Sequence, residues 1–285
     1  AVEAGADIRK GARVLGVKTG EEPTILAEVD GGEVEFRARL IVGADGRDAP
    51  FRGWAGFQVQ RDPGHTLVAG LLLDNVQVAD DTSHAWLNPE LGLWILMFPQ
   101  GDGRIRGYVC YGKAAGFRLT GDGDIPRFIE ESIKGGVPQG HYAKAKPVGP
   151  LATFEGAASW VDHPYHDGIA LIGAAGGAPD PTWGQGLSLT LRDVRVLRDA
   201  LLSHDDWEVA GNAYAKKHDR YYKVIHDVEL WETKLLMETG EEADARRTRA
   251  FAAWKEDRTK QLDVLLSGPV SDVDEGTKRR FFGEE

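Results

Sequence analysis

The stretch Arg39–Arg52, RLIVGADGRDAPFR, decides the fold of this sequence. Its apolar beginning is typical of a strand that is buried on both faces of a parallel sheet. The strand runs into Gly43-Ala-Asp-Gly, where glycines let the backbone approach a ligand closely. At the carboxyl edge of such a strand, Asp45 is placed to accept hydrogen bonds from a sugar hydroxyl or an ordered water. Arg47 and Arg52 then predict either bidentate phosphate contacts or an ordinary solvated loop, and the stretch alone leaves both open.

A second stretch, Gly168–Asp193, has the same character and reads GIALIGAAGGAPDPTWGQGLSLTLRD. A buried strand ends in a glycine cluster, and Pro179 and Pro181 stiffen the turn that follows. Gly184-Gln-Gly186 then opens a helix, whose free N–H groups form a site for an anion or for the electron-rich edge of a flat ring. The alternative is a glycine-rich helix start that only packs closely.

The two stretches flank a block of different composition. Residues 60–153 contain three predicted strands, HTLVAGLLLDNV, LGLWILMFPQ and RIRGYVCYG, and one predicted helix, DIPRFIEESIKGGV. We expect this block to form a separate antiparallel sheet inserted into an α/β domain. Ahead of it, the sequence DGGE at Asp30–Glu33 predicts a hairpin turn.

The rest of the chain is predicted to be helical. The helix after the second stretch has an apolar stripe that we expect to face the core, formed by Leu187, Leu191, Val194, Leu197 and Leu201. From residue 207 onward, two further stripes indicate packed helices; they comprise Tyr221, Ile225, Val228, Trp231 and Leu235, and then Phe251, Trp254, Leu262 and Leu265. Residues 267–285 are expected to be a loose end with one short element.

Composition excludes several classes of function. The 285 residues carry a net charge of −11, which argues against nucleic acid as a partner, because phosphate contacts need clustered Lys and Arg. No apolar run reaches the length of a membrane span. Cys110 is the only cysteine, so no intramolecular disulfide can form, and a reducing, cytoplasmic location is expected. Cys110 itself is interpreted as a small buried hydrophobic residue.

The two stretches together resemble the class A flavoprotein monooxygenases, the family of para-hydroxybenzoate hydroxylase. GADGRDAPFR is similar to their Asp-Gly motif, GADGxxSxxR, and GAAGGAPDPTWGQGLS to their Gly-Asp motif, GDAAHxxxPxxGQGxN. The resemblance covers residues 1 to about 200. It implies an incomplete FAD-binding domain in two parts (1–59 and 154–206), an inserted β-rich substrate domain (60–153) and a helical C-terminal region (207–285).

The resemblance also implies a site. Asp45 would lie near the FAD pyrophosphate and ribose, and Pro181 and Trp183 would lie at the reactive edge of the flavin. The residues implied to bind the cofactor are Gly43, Asp45, Gly46, Arg47, Arg52, Gly173, Ala174, Pro181, Gly184, Gln185, Gly186 and Leu187. The residues expected to line the substrate pocket are Trp86, Trp94, Leu96, Phe98 and Trp183.

In that family, NADPH or NADH reduces FAD, and a flavin C4a-hydroperoxide transfers oxygen to an organic substrate. The resemblance therefore implies hydroxylation or epoxidation of a hydrophobic or aromatic small molecule. We expect no metal: His163 and His166 have neighbouring carboxylates but lie in a surface loop. A homodimer is a possible assembly.

The sequence departs from the family pattern in three places. No GxGxxG occurs in the 285 residues, Ala174 replaces the motif aspartate, and Ala49 replaces a common serine. A lost charged hydrogen bond at Ala174 would cost about 1.5–3 kcal/mol, or tenfold to a hundredfold in affinity.

Three explanations for the absent GxGxxG stay open: a chain that begins inside a longer reading frame, a shortened chain, or a protein that dropped its cofactor half. In the third case a flavin-free binding protein for a hydrophobic ligand is expected, with exposed sheet edges covered by dimerisation. A flavin-dependent halogenase is a further alternative. LWILMFP, at 93–99, bears only a weak resemblance to the Trp-x-Trp-x-Ile-Pro motif of halogenases.

Overall fold

A computed structural model describes residues 1–48 and 50–285. Ala49, the replacement for the motif serine, lies outside the described residues. The chain divides into two compact units. The first unit comprises Ala1–Arg61, Ser159–Pro179 and Gly186–Lys223, and the second comprises Asp62–Ala158, Asp180–Gln185 and Val224–Glu285.

The strands are β1 (Arg13–Lys18), β2 (Thr24–Val29), β3 (Gly32–Arg37), β4 (Ile41–Gly43), β5 (Val59–Arg61), β6 (Thr66–Asp74), β7 (His84–Asn88), β8 (Leu93–Gly101), β9 (Arg104–Gly112), β10 (Lys146–Pro147), β11 (Ala152–Glu155), β12 (Ser159–Val161), β13 (Tyr165–His166), β14 (Ile169–Leu171) and β15 (Gly177–Ala178). The α-helices are α1 (Phe51–Trp54), α2 (Ile125–Lys134), α3 (Gly186–Ser203), α4 (Trp207–Leu236), α5 (Glu241–Glu256), α6 (Val264–Ser267) and α7 (Glu275–Phe281).

The first unit contains three small sheets. Antiparallel β1, β2 and β3 form one, and the β2–β3 turn has positive φ at both Asp30 (52°) and Gly31 (81°). Two successive positive φ values define the type I′ hairpin that matches strand twist, so the predicted turn is confirmed. A second sheet has the order β15-β12-β5.

The third sheet carries both predicted motifs, in the order β13-β14-β4. β4 and β14 are parallel, with Ile41 opposite Ile169, and both side chains are buried. The prediction of a parallel pair is therefore confirmed. The expectation that β4 is buried on both faces is wrong, because Val42 is 41% exposed.

The second unit is built on one large antiparallel sheet, as predicted for this block. Its order is β10-β6-β9-β8-β7, and β11 also pairs with β6. One face packs into the main core of the unit, where Phe128 of α2 is fully buried. The sheet residues on that face include Leu71, Ile95, Met97, Ile105 and Val109. Side chains alternate between faces along each strand, so the neighbouring positions form the opposite face.

Helix α3 departs from the predicted apolar stripe. Its buried positions are Leu189, Asp193, Leu197 and Ala200. Leu187, Leu191 and Val194 are instead exposed, by 73%, 63% and 48%. The prediction is right for Leu197 and wrong for these three, because the inward-facing stripe passes through an aspartate that an apolar-periodicity argument leaves out.

The C-terminal region contains four α-helices, α4 to α7. The predicted stripe of α4 is confirmed, since all five members are buried: Tyr221, Ile225, Val228, Trp231 and Leu235. Of the second stripe, Trp254 is buried whereas Phe251 is 42% exposed. The one short element expected near the end of the chain is confirmed as α7. The expectation that this end is loose is wrong, because Phe281 is fully buried and the Trp254 indole N–H donates to its carbonyl at 2.8 Å. Within the described part of the chain, no helix is both long and apolar enough to cross a membrane.

Candidate functional site

The Asp-Gly loop begins where β4 ends. A Cβ on Gly43 would lie 2.6 Å from a ring carbon of Phe51, so packing alone requires glycine there. Asp45 is exposed, and the next residue, Gly46, has a φ of 100°. Apart from its two chain neighbours, no described residue has an atom within 4 Å of the position that a Cβ of Gly46 would take. The loop therefore presents an open carboxylate beside bare backbone.

The two arginines of this loop bind protein groups. The Arg47 Nη2 donates to the Pro179 carbonyl at 2.9 Å, which joins the two sequence motifs within the first unit. Arg52 is only 5% exposed; its Nη2 donates to the Arg47 carbonyl and, at 3.3 Å, to the Ser159 hydroxyl. Burial lowers the pKa of Arg52. Arg52 is thus neither a solvated loop residue nor a side chain free for an external phosphate, the two alternatives that the sequence left open.

The glycine cluster of the second motif is hydrogen-bonded to a buried polar network. Gly173 has a φ of 59°, and its N–H donates to Asp193 Oδ2 at 2.7 Å. The other oxygen of Asp193 accepts from His218 Nδ1 at 3.0 Å and from the Tyr221 hydroxyl. Burial, reinforced by the negative charge of Asp193, raises the pKa of Tyr221. Ala174, where the family has aspartate, is half-buried beside this network.

Sequence reasoning missed this network. Asp193 is fully buried, and a charged residue is almost never fully buried unless it is paired. The sequence does contain one indication that Asp193 is buried. Asp193 lies four residues after Leu189 and four before Leu197, on the inward-facing stripe of α3. His218 and Tyr221 are three residues apart on α4, which places them on one helix face.

Helix α3 begins at Gly186, within the Gly184-Gln-Gly186 stretch of the second motif. Its first turn contains no acidic residue. Apart from its chain neighbours and the nearby backbone of α3, no described atom lies within 4 Å of a Cβ built on Gly186. Leu187 is also solvent-exposed, by 73%. The aligned peptide dipoles of α3 give its first-turn N–H groups a partial positive charge. The role predicted for this helix start at a ligand stays a prediction.

The turn Pro181–Trp183 belongs to the second unit. Asp180 caps it by accepting from the Thr182 N–H at 2.9 Å, and it also accepts from the Thr66 hydroxyl of β6 at 2.8 Å. Gly184 ends the turn with a φ of 74°. Pro181 is partly exposed, so the turn is fixed to the sheet while its leading proline still meets solvent.

Trp183 and Gln185 face inward in the second unit. The Trp183 indole N–H donates to the Thr233 hydroxyl at 2.9 Å, and its ring meets Trp94 edge-on at 4.9 Å. The Gln185 amide donates to the Leu265 carbonyl at 2.8 Å. These two side chains hold the loop in place. Their predicted roles at a cofactor or substrate stay predictions.

The predicted substrate residues divide between two sheet faces. Trp94, Leu96 and Phe98 alternate with core residues of β8 and so share the face opposite the core. Trp86 pairs with Ile95 and packs against the core, so the structure separates it from the other three. Phe98 meets Tyr108 of β9 edge-on, with ring centroids 6.0 Å apart. The three β8 side chains on this face are apolar, and the ring of Trp183 packs against Trp94.

Two groups considered in the sequence have ordinary surroundings. Cys110 is fully buried, as predicted, and burial raises the pKa of its thiol. His163 Nε2 lies 2.9 Å from the Asn212 side-chain oxygen. Residues 1–48 and 50–285 contain no group of three His, Cys, Asp or Glu side chains arranged to hold a metal ion.

The parallel β4–β14 pair and its two joined loops define the class of protein. The chain matches the model of the FAD binding domain family over residues 1–229, and it belongs to that family. The resemblance to flavoprotein hydroxylases and the predicted fold class are thereby confirmed.

Curated relatives and solved structures extend the comparison. The chain is 29% identical to digeranylgeranylglycerophospholipid reductase 2 of Methanopyrus kandleri over 234 residues, 78% of this chain and 57% of the relative. It is 26% identical to digeranylgeranylglycerophospholipid reductase 1 of Methanococcoides burtonii, over 65% of this chain and 45% of the relative. The chain thus spans about half the length of these relatives.

Among solved structures, p-nitrophenol 4-monooxygenase PnpA from Pseudomonas putida aligns with a TM-score of 0.69 and 18% identity, covering 90% of this chain and 65% of that one. OxyS anhydrotetracycline hydroxylase from Streptomyces rimosus aligns with 0.67 and 16%, covering 90% and 52%. The flavin-dependent halogenase CmlS aligns with 0.69 and 17%, covering 91% and 50%. At these identities the structures show the fold.

Proposed function

We propose that this chain binds FAD and belongs to an oxidoreductase that inserts oxygen into a hydrophobic small molecule, with NADPH or NADH as the reductant. The observation that carries the proposal is the hydrogen bond from Arg47 to the Pro179 carbonyl, at 2.9 Å. It joins the Asp-Gly loop to the end of the glycine cluster, so that both motifs form one edge of the first unit. A protein that only bound an apolar ligand would have no evident need of this linkage.

The residues of this edge fit part of the cofactor. Asp45 is exposed beside bare backbone at Gly46, which suits hydrogen bonding to sugar hydroxyls. The start of α3 at Gly186, whose first turn has no acidic residue, suits the electron-rich edge of the flavin ring. When bound, FAD would supply hydride acceptance and oxygen activation, while the protein orients the ring and excludes water.

The fit is incomplete at two points. Arg47 and Arg52 already bind protein carbonyls, so they are not counted as pyrophosphate ligands. Ala174 offers no carboxylate to the ribityl chain. We therefore expect a weaker hold on FAD than a chain with the full motif would have, by about tenfold to a hundredfold for Ala174 alone.

The second unit supplies the surface proposed to bind the substrate. Trp94, Leu96 and Phe98 line one sheet face, and its apolar character favours a hydrophobic or aromatic molecule. Pro181 and Trp183 lie in the turn that packs against the Trp94 end of this face. We propose that this end of the face holds the reacting part of the substrate.

A second candidate reaction is the reduction of a carbon–carbon double bond in a long apolar substrate. The curated relatives at 26% and 29% identity are both named as reductases of a geranylgeranyl lipid. An apolar face could bind the substrate of either reaction. An experiment must therefore distinguish oxygen insertion from double-bond reduction. A halogenase and a flavin-free binder are the remaining alternatives.

The test begins with the FAD-loaded chain under anaerobic conditions. NADPH and NADH are added in turn, and bleaching of the visible flavin absorption reports reduction. Isotopically labelled oxygen is then admitted with a panel of aromatic and isoprenoid compounds. Label in the product supports oxygen insertion, and a product that gains two hydrogens without label supports reduction. Unbleached flavin with both nucleotides would contradict the proposal.

A further inference from the structure

Arg106 of β9 is a cation on the apolar face of the large sheet. It lies opposite Phe98 of β8 on one side and opposite Leu72 of β6 on the other. Because side chains alternate along β9, Arg106 shares its face with Tyr108 and not with the buried Ile105. Its side chain is half-buried among these groups.

Arg106 differs from its neighbour Arg104 in having no counter-charge. Arg104 Nε and Nη2 donate to the two oxygens of Asp74 at 2.7 and 3.1 Å. Within the described residues, the Arg106 side chain makes no hydrogen bond or ion pair. A partly desolvated guanidinium without a partner is unfavourable by itself, and a ligand carboxylate would match its planar geometry through two parallel hydrogen bonds.

The position of Arg106 along the strands determines how long a ligand must be to contact both Arg106 and the Pro181–Trp183 turn. Trp183 packs on Trp94, whereas Arg106 lies level with Phe98, four residues further along β8. Four residues of an antiparallel strand span about 13 Å. A ligand that reaches from Arg106 to the Pro181–Trp183 turn would therefore be an elongated molecule with its charge at one end.

We propose that Arg106 binds the carboxylate of an elongated apolar substrate whose uncharged end lies at Trp94. This inference rests on the proposed function, and it adds the class of substrate. A carboxylate is favoured over a doubly charged phosphate ester because the face offers one uncompensated positive charge: Asp74 neutralises Arg104. The remainder of the ligand would pack on Leu96 and Phe98.

The experiment compares three ligands of equal length on the chain without flavin, by isothermal titration calorimetry. The probes are 8-phenyloctanoate, 8-phenyloctan-1-ol and 8-phenyloctyl phosphate, each below its aggregation concentration. We expect the carboxylate to bind about tenfold to a hundredfold more tightly than the alcohol, the range for a hydrogen bond to a charged group.

Variants identify the residue responsible. Arg106→Gln should lose the preference for the carboxylate and bind the alcohol as the wild type does, and Arg106→Lys should keep part of the preference. Arg104→Gln is the matched control, because it removes an arginine of the same strand that is already paired, and it should change neither affinity. Thermal unfolding of each variant shows whether the sheet is intact.

Each outcome decides between the proposals. Equal binding of carboxylate and alcohol by the wild type, unchanged in Arg106→Gln, would overturn the role of Arg106 while leaving the apolar face as a binding surface. Tightest binding of the phosphate would overturn the carboxylate assignment. Binding of no probe would overturn this proposal, whereas failure of the proposed function would show independently as flavin that NADPH and NADH leave oxidised.

Discussion

Replacement of Asp193 by asparagine tests whether the buried network holds the glycine cluster. The carboxylate accepts three hydrogen bonds, from Gly173 N–H, His218 Nδ1 and the Tyr221 hydroxyl, and it has no solvent exposure. Asparagine keeps the shape but offers one acceptor oxygen and an NH₂ group that would face a donor. With each charged hydrogen bond worth about 1.5–3 kcal/mol, we expect Asp193→Asn to lower the free energy of unfolding by about 3–5 kcal/mol.

The assay is urea unfolding followed by circular dichroism, with the free energy extrapolated to water. Tyr221→Phe removes one of the three donors and should cost about 1.5–3 kcal/mol. The double variant should then show an interaction energy between the two sites, because both belong to one network. Asp199→Asn is the control: Asp199 is an exposed aspartate on the same helix, and its replacement should change stability by less than about 0.5 kcal/mol.

The same variant has a functional consequence. Because Asp193 fixes the N–H of Gly173, its loss should displace the glycine cluster and weaken FAD binding even where the protein stays folded. Asp193→Asn with the stability and flavin affinity of the wild type would refute the reasoning that this network supports the site.

Three further predictions follow from individual side chains. Arg47→Ala removes the donor to the Pro179 carbonyl and should weaken FAD binding about tenfold in equilibrium dialysis, and an unchanged affinity would show that the linkage is unimportant. Burial raises the pKa of Glu232 from 4.5 to about 7, so the folded state binds the extra proton between these values and stability falls as pH rises through them. Glu232→Gln should therefore be more stable than wild type at pH 8 by up to about 3 kcal/mol, with the difference closing toward pH 4.5; a constant difference would contradict the assignment. Leu191→Glu lies on the exposed stripe of α3 and should change the urea midpoint little, whereas a loss above about 2 kcal/mol would mean that this residue is covered in solution.

Local patterns predicted the elements of this fold well. The Asp30–Gly31 hairpin, the apolar runs of β4 and β14, and the alternation along β8 each depend on residues close together in sequence. Such signals come from backbone geometry and from the spacing at which apolar side chains repeat. They can therefore be recognised in the sequence without the tertiary structure.

The features that sequence missed depend on tertiary contacts. Trp86 and Trp94 both lie in alternating strands, but only the β7–β8 register shows that they occupy opposite faces. Arg52 looked like a phosphate ligand or a surface residue, and its burial depends on Ser159, more than a hundred positions away. Asp193 lies on the inward stripe of an otherwise apolar helix face, and its partners come from two distant segments.

The central claim, that these loops form a flavin site, is tested most directly by the visible absorption spectrum of the chain after incubation with FAD and removal of unbound flavin. The account predicts that flavin absorption remains with the folded chain, and that Ala174→Asp tightens binding by about tenfold to a hundredfold. A folded, monodisperse sample that retains no flavin, with Ala174→Asp equally empty, would contradict it.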